Sequence, residues 1–215
     1  VSDMALQCDL LLQKGRALVN SEKTYLAEDP LRRSLEIGRQ IHNSTLEMES
    51  LYYLGEMLLD RESYWDEGLE YIEQALKLAV EQRVWRLIVS GMEKLRNRYN
   101  KRDPRTFITM CDQMITKIRQ DPSPAAKVII AEILEDKAWL YHQRRECFEA
   151  LDVLEQGAMS LCSTGVLSHS PEIKYKLDRL RAQAFRALGK YSQSLEEAEH
   201  ALVWAKASRS RANIA

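Results

Sequence analysis

The histidines and cysteines are the first side chains to consider for catalysis or metal binding. His142 and Cys147 are the nearest such pair in the sequence, but they lie on either side of a predicted turn. A Cys/His enzyme needs the two side chains in contact with a third, orienting group, and the pattern does not require that contact. The four histidines are scattered: His42, His142, His169 and His200. No CxxC motif or metal-ligand spacing is present, so we expect free, buried, reduced thiols at Cys8, Cys111, Cys147 and Cys162.

Two clusters of carboxylates could in principle do acid/base chemistry. They are Glu132, Glu135 and Asp136, and Asp66, Glu67, Glu70 and Glu73. Their spacing of three and four residues is that of a solvated helix face, without the apolar surroundings that raise the pKa of a general acid. The sequence also has no Gly-rich phosphate loop and no G-x-S-x-G motif. We therefore predict a protein that is not an enzyme and has no catalytic residues, metal or cofactor.

A basic run from Arg83 to Arg105 is the one charge feature that could have a function beyond solubility. Trp85 and Tyr99 interleave with its arginines and lysines, so the run could contact phosphates or an acidic peptide. Much of it is also the polar face of one predicted helix and the turn after it. Contact with RNA or DNA through this run is therefore kept as a third hypothesis.

Composition predicts an all-helical protein. The chain has 215 residues, a formal net charge of −1, only 8 Gly and 5 Pro, and many Leu, Ala, Glu, Lys and Arg. These straight-chain residues lose little rotamer freedom in a helix, and the neutral balance disfavours generic binding to nucleic acid or a membrane surface. No apolar run approaches the roughly 18 residues of a membrane span. Reduced thiols predict the cytoplasm or the nucleus.

The hydrophobic spacing predicts about ten helices in five pairs. The predicted bounds are 4–19, 30–42, 46–61, 64–81, 84–99, 105–120, 125–143, 147–162 and a final pair within 176–205. Asp29 and Asp103 each precede a proline and are predicted to cap the helices that follow. Prolines in 121–124 predict a hinge or a turn, residues 163–170 a longer loop, and 207–215 a polar tail.

The predicted pairs repeat. Seven positions of the fourth pair recur in the fifth at a constant shift of 44 residues: Ala138, Tyr141, Arg145, Ala150, Leu154, Gly157 and Ala158 match Ala182, Phe185, Gly189, Ser194, Ala198, Ala201 and Leu202. With a one-residue adjustment in the loop, the second pair fits too, through Leu51, Leu54, Gly55, Leu58, Gly68, Ile72 and Ala75. Small residues at such positions let paired helices approach closely.

This pattern resembles the tetratricopeptide-repeat (TPR) family over almost the whole chain. The resemblance implies an all-α fold, a right-handed α-solenoid of about ten antiparallel helices in a single domain over 1–206. The pairs are spaced by about 40 residues, whereas the usual TPR period is about 34 residues. The proline that usually ends a repeat is absent at most positions. Another right-handed α-solenoid, such as one of HEAT-type repeats, and a closed helical bundle are the alternatives.

In TPR arrays the first helix of each pair lines a concave groove, so the resemblance also implies partner-binding residues. They are Tyr52, Glu56 and Leu59 in the second pair, Arg86, Glu93 and Arg96 in the third, Glu135, Trp139, His142 and Gln143 in the fourth, and Lys176, Arg179, Gln183 and Arg186 in the fifth. Some family members bind chaperone tails through a Lys/Asn clamp. Tyr52, Glu56, Glu135 and Trp139 occupy those positions here, so we do not expect that activity.

The resulting prediction is a non-catalytic scaffold that binds a peptide or helix of a partner protein. The alternative is a regulatory arm of a larger enzyme, such as a protease or a nucleotide-driven switch protein. The start at Val1 rather than Met is compatible with such a fragment. Neither the partner nor the oligomeric state follows from the sequence.

Overall fold

A computed structural model describes residues 2–162 and 171–212, and these residues form ten α-helices and no strand. The helices are α1 (Ser2–Asn20), α2 (Thr24–Gln40), α3 (Ser44–Leu59), α4 (Trp65–Glu81), α5 (Trp85–Arg102), α6 (Pro104–Ile118), α7 (Pro124–Gln143), α8 (Cys147–Cys162), α9 (Pro171–Ala187) and α10 (Tyr191–Ala212), with a 3-10 turn at Glu62–Tyr64. The predicted loop over 163–170 and the last three residues of the predicted tail lie outside the described residues.

The chain divides into two compact units, and the division falls inside α5. Unit 1 is Val1–Lys94 and unit 2 is Leu95–Ala215. Unit 1 contains two helical hairpins, α1–α2 and α3–α4, and unit 2 contains α7–α8 and α9–α10. The predicted pairing of consecutive helices is therefore confirmed for these four hairpins.

The same short turn occurs five times within residues 2–162 and 171–212. Its central residue has a positive φ, between 52° and 72°, in each case: Glu22, His42, Arg83, Arg145 and Gly189. At each turn the central N–H donates to the carbonyl three residues back, and the next N–H donates to the carbonyl five residues before it. This is the Schellman arrangement, which satisfies the last carbonyls of a helix. The repeat shift that aligns Arg145 with Gly189 is thus reproduced in the backbone.

The predicted start of α2 was wrong. Asp29 does not cap a helix, because α2 begins at Thr24 and Pro30 lies inside it. Pro30 is buried, and Ala27 in the added turn is fully buried. α2 begins directly after the short turn at Glu22. Burial of Ala27 and Pro30 favours the additional helical turn, although the proline has no N–H to donate.

The caps of α6 and α7 agree with their sequences. Asp103 accepts a hydrogen bond from the N–H of Thr106, and Pro104 is at the first turn of α6, as predicted. Ser123 accepts from the N–H of Ala126 at 3.2 Å, and Pro124 opens α7. Both prolines sit where a helix needs no N–H donor. Residues 119–123 therefore form a short connection between two helices.

Close backbone contact holds the α3–α4 hairpin of unit 1 together. A Cβ added at Gly55 would lie 2.8 Å from the carbonyl oxygen of Gly68, and one added at Gly68 would lie 2.8 Å from the backbone nitrogen of Leu59. In the α9–α10 hairpin of unit 2, Ser194 Oγ donates to the carbonyl of Ala182 at 2.9 Å. The small residues thus have the role that the repeat pattern predicts.

The thiols are as predicted at three positions and not at the fourth. Cys8, Cys111 and Cys147 are free and buried, whereas Cys162 is free and exposed. Cys162 is in the last turn of α8, where the helix presents it outward. In the described ranges, no helix combines the length and the apolarity that crossing a bilayer requires.

Candidate partner-binding site

In unit 1, Tyr52 lies in the interior. Its side chain is 6% exposed, and its hydroxyl is 2.6 Å from Ser90 Oγ. Burial raises the pKa of Tyr52 to about 12. Leu59 is also buried, because α3 contacts α1, α2 and α4 and leaves only a narrow strip of its surface open. The structure therefore gives both residues a packing role, and a partner contact by Tyr52 remains a prediction.

Tyr53, rather than its neighbour Tyr52, is the half-exposed tyrosine of α3. The guanidinium of Arg16 lies 5.5 Å from the centroid of its ring, within cation–π distance. Burial is the main reason that the pKa of Tyr53 is raised. Glu49, Tyr53 and Glu56 are part-exposed residues that repeat along α3, so Glu56 keeps its predicted position and Tyr53 replaces Tyr52 in this register. The solvated charge of Glu49 was the signal for this register.

The basic run is only partly available to a ligand. Within unit 1, Lys94 forms an ion pair with Glu56, while Arg86 is exposed. Within unit 2, Arg96 is largely buried against carboxylates. Charges that are already paired contribute little attraction to phosphate, so the run is less basic than its sequence suggests. Glu56 and Arg86 remain candidates for partner binding.

Unit 2 gathers several predicted site residues into an ionic cluster. We call it the Arg96 cluster, and it consists of Arg96, Glu132, Glu135, Asp136, Trp139 and Lys176. Arg96 Nη1 is 2.6 Å from Asp136 and 3.8 Å from Glu135, and the guanidinium lies 4.6 Å from the centroid of a Trp139 ring. Only 15% of the Arg96 side chain is exposed. Arg96 and Trp139 therefore connect the C-terminal part of α5 to α7, and a partner contact by either residue remains a prediction.

Two groups of the Arg96 cluster have shifted pKa values. Burial raises the pKa of Glu135, although Arg96 and Lys176 attract its charged form. Burial alone would lower the pKa of Lys176, but Glu132 and Glu135 outweigh it and the pKa is raised. Lys176 Nζ is 3.3 Å from Glu132. The carboxylates that the sequence analysis assigned to a solvated face thus lie between α7 and its neighbours.

The C-terminal end of α7 carries two further predicted residues. His142 is half-buried, and its Nδ1 is buried without a hydrogen-bond partner among the described residues. Gln143 is exposed. Neither is part of the Arg96 cluster, and their contact with a partner remains a prediction.

Three predicted residues of the fifth pair line a groove between α9 and α10. Arg179, Gln183 and Arg186 are exposed on α9, and the floor contains Ala182 and Ala201. The groove has a volume of about 590 Å³ and is open to solvent. Tyr175 and Lys206 also line it, and sequence reasoning missed both. The groove therefore has an apolar floor and a basic rim.

The neighbouring hairpin has a corresponding groove that is filled. Leu177 of α9 is fully buried, and a Cβ added at Gly157 of α8 would lie 3.2 Å from its Cδ2 atom. Lys176, the residue before it, makes the ion pair with Glu132 on α7. The α7–α8 groove thus binds a helix that supplies one leucine to a small floor residue and one basic side chain to an acidic rim.

The two grooves have the same register and opposite charge. The floor residues Gly157 and Ala201 lie the same number of residues after the turn residues of their hairpins. These turn residues are Arg145 and Gly189, respectively. By the same shift, Glu135 corresponds to Arg179, whereas the counterpart of Glu132 is Lys176, which pairs with Glu132 itself and does not line the open groove. At the position of Glu135 and Arg179, the acidic residue of the filled groove is therefore replaced by a basic residue in the open one.

Comparison with solved structures identifies the fold. No family model matches the chain, and no curated protein matches its sequence. BtubC (BKLC) from P. vanneervenii matches with a TM-score of 0.67 at 12% identity, over 97% of this chain and 92% of that one. A protein of Podosopora anserina, described as a kinesin light chain with nearly identical TPR-like repeats, matches with a TM-score of 0.59 at 15% identity, over 92% and 94%.

The apo form of RapI also matches, with a TM-score of 0.55 at 12% identity, over 95% of this chain and 85% of that one. The predicted resemblance and fold class are confirmed: the chain has the all-α, TPR-like solenoid fold. At these identities the likeness concerns the fold alone.

Proposed function

We propose that the chain is a non-catalytic protein-interaction module that binds a partner helix in the α9–α10 groove. The open groove with its basic rim is the observation that carries the proposal. The TPR-like fold supports a binding role in general. The proposal keeps Arg179, Gln183 and Arg186 as partner contacts and treats Arg96, Trp139 and Lys176 as the cluster that positions α9 from behind.

The filled groove indicates what the open groove would accept. α9 binds α7–α8 through an apolar ridge that contains Leu177 and through Lys176 beside acidic carboxylates. An equivalent occupant of the α9–α10 groove would place a leucine against Ala201 and acidic residues beside the basic rim. The partner is therefore an amphipathic helix with acidic flanks.

The rim charges are available for such a partner. Arg179, Arg186 and Lys206 are exposed and form no ion pair with the described residues. Exposed Leu202 adds apolar surface beside the floor. Charges at a solvated rim mainly set specificity and association rate, while the buried floor supplies affinity.

A pair of peptides that differ only in charge tests the proposal. The first copies α9, Pro171–Ala187, with Lys174, Lys176 and Arg179 each replaced by Glu, and the second is the unmodified basic sequence. Fluorescence anisotropy with the full chain should show binding of the acidic peptide at least about tenfold tighter than binding of the basic one. Equal affinity for the two peptides, or no binding of either, would contradict the proposal.

Protein variants locate the contact. Arg179→Glu together with Arg186→Glu should reverse the preference between the two peptides. Lys101→Glu together with Arg105→Glu is the matched control, because these exposed residues do not line the groove. The regulatory-arm alternative predicts the same peptide preference if the acidic helix belongs to another domain of the same protein. An equal loss in both variants would instead indicate a nonspecific charge effect.

A further inference from the structure

We infer that the α9–α10 groove binds helix α1 of a second copy of this chain. This inference rests on the proposed function and names the partner helix for the same groove. It follows from three matched features: the exposed apolar face of α1, the register of that face, and the charge opposite the basic rim.

α1 has an exposed apolar face. Leu6 and Leu10 are each 60% exposed, and together with Leu11 they line a shallow depression along the helix, whose lining also includes Asp3, Gln7 and Lys14. The opposite side of α1 is packed, because Cys8 and Leu12 are fully buried. A second apolar face on a helix that is already packed indicates a surface for a further contact.

The register of this face matches the face through which α9 binds α7–α8. Leu177 and Leu10 lie the same number of residues before the turn residues that end their helices. These turn residues are Gly189 and Glu22, respectively. By the same count, Leu6 corresponds to Ile173. Ile173 and Leu177 are buried where α9 packs against the α7–α8 hairpin, whereas Leu6 and Leu10 are exposed. α1 therefore exposes to solvent an apolar ridge that is equivalent to the ridge through which α9 packs on α7–α8.

The residue next to this ridge is acidic on α1 and basic on α9, which matches the change from an acidic to a basic groove rim. Asp9 of α1 corresponds to Lys176 of α9, since the two residues directly precede Leu10 and Leu177 in the same alignment. In the filled groove Lys176 meets Glu132 and lies near Glu135. In the open groove the residue equivalent to Glu135 is Arg179, which is exposed at the rim. An α1 helix docked in the same manner would place Asp9 near Arg179 and Leu10 against the floor.

The contact joins two different surfaces, so it is heterologous. After a single contact has formed, one copy still has a free groove and the other still has a free α1 face, so association can continue into rings or open chains. The size of the assembly should therefore grow with protein concentration. It should fall with added salt, because the pair of Asp9 with Arg179 lies at a solvated rim.

Charge reversal with rescue is the experiment that tests this contact. Sedimentation velocity of the full chain at low salt, up to about 0.5 mM, should show self-association of the wild type. Asp9→Lys alone and Arg179→Glu alone should each weaken it at least about tenfold. An equimolar mixture of these two variants should associate again, because every contact in an alternating assembly then pairs opposite charges. Glu36→Lys, an exposed site on α2, is the control and should not change it.

The apolar part of the contact is tested separately. Leu6→Ala with Leu10→Ala should weaken association without changing the thermal unfolding temperature, because both side chains are exposed in the single chain. A monomeric wild type, or a mixture that fails to associate, would overturn the inference. Binding of the acidic peptide by a monomeric wild type would overturn it and leave the proposed function in place. A chain that neither self-associates nor binds that peptide would overturn both.

Discussion

The hairpins α7–α8 and α9–α10 are built from the same repeat, yet one is covered and the other is open. Gly157 and Ala201 occupy the same position in the two grooves, but Leu177 covers the first, whereas Leu202 beside the second is 54% exposed. Glu135 at the rim of the first corresponds to Arg179 at the rim of the second. Equivalent positions of the repeat therefore have different roles, because the presence of a neighbouring helix determines which of them are buried.

The largest expected effect is in the covered groove. Leu177→Ala removes a fully buried side chain that contacts Gly157, so it should lower the free energy of unfolding of unit 2 by about 3 kcal/mol. Leu202→Ala, the matched change beside the open groove, should alter it by less than about 0.5 kcal/mol. Urea denaturation followed by circular dichroism measures both. Equal losses would show that the two grooves do not differ in burial.

The repeat and its turns could be predicted from the sequence because they are local. Arg145 and Gly189 were aligned by the repeat shift, and both adopt the same left-handed turn. The start of α2 was not predictable from its prolyl cap motif, because burial of Ala27 and Pro30 is a tertiary effect. Local propensity could not outweigh that burial.

The site was predicted less well, since it depends on which face each helix buries. Tyr52 and Tyr53 are adjacent, and only packing on several sides of α3 decides that Tyr52 is inside. Glu135 and Asp136 have the spacing of a solvated face, yet Arg96 holds them in the interior. A charge pattern on one helix does not reveal a counter-charge that comes from another helix.

A smaller effect is expected at the turns, where the two hairpins differ in the central residue. Arg145 has φ 63° and Gly189 has φ 72°, a region that costs side chains with a Cβ about 1 kcal/mol. Arg145→Gly should therefore stabilise unit 2 by about 0.5 to 1 kcal/mol, and Gly189→Ala should destabilise it by about 1 kcal/mol. Thermal unfolding measures these shifts. If both changes destabilise, the side chain of Arg145 has a role that the turn geometry does not require.

The smallest effect concerns Glu135, whose counterpart in the open groove is Arg179. Burial holds the pKa of Glu135 above its ordinary value of 4.5, despite the attraction of Arg96, Lys176 and Arg179. The folded state then binds a proton more tightly than the unfolded state does. This contribution to stability is fully present below pH 4.5 and is lost as the pH rises through the folded pKa.

Glu135→Gln should accordingly raise the unfolding temperature slightly at pH 7, because the ionised carboxylate carries a desolvation cost that the amide does not. The gain should shrink as the pH falls through the folded pKa towards 4.5, because the wild-type carboxyl then becomes protonated in the folded state. Arg179→Gln, at the equivalent position of the open groove, should instead increase this pH dependence slightly, because it removes one of the positive charges that favour the ionised Glu135 carboxylate. Unfolding temperatures of the three proteins between pH 4 and pH 7 measure this difference. A loss of stability at pH 7 in Glu135→Gln would mean that the attraction of Arg96 outweighs the burial of Glu135.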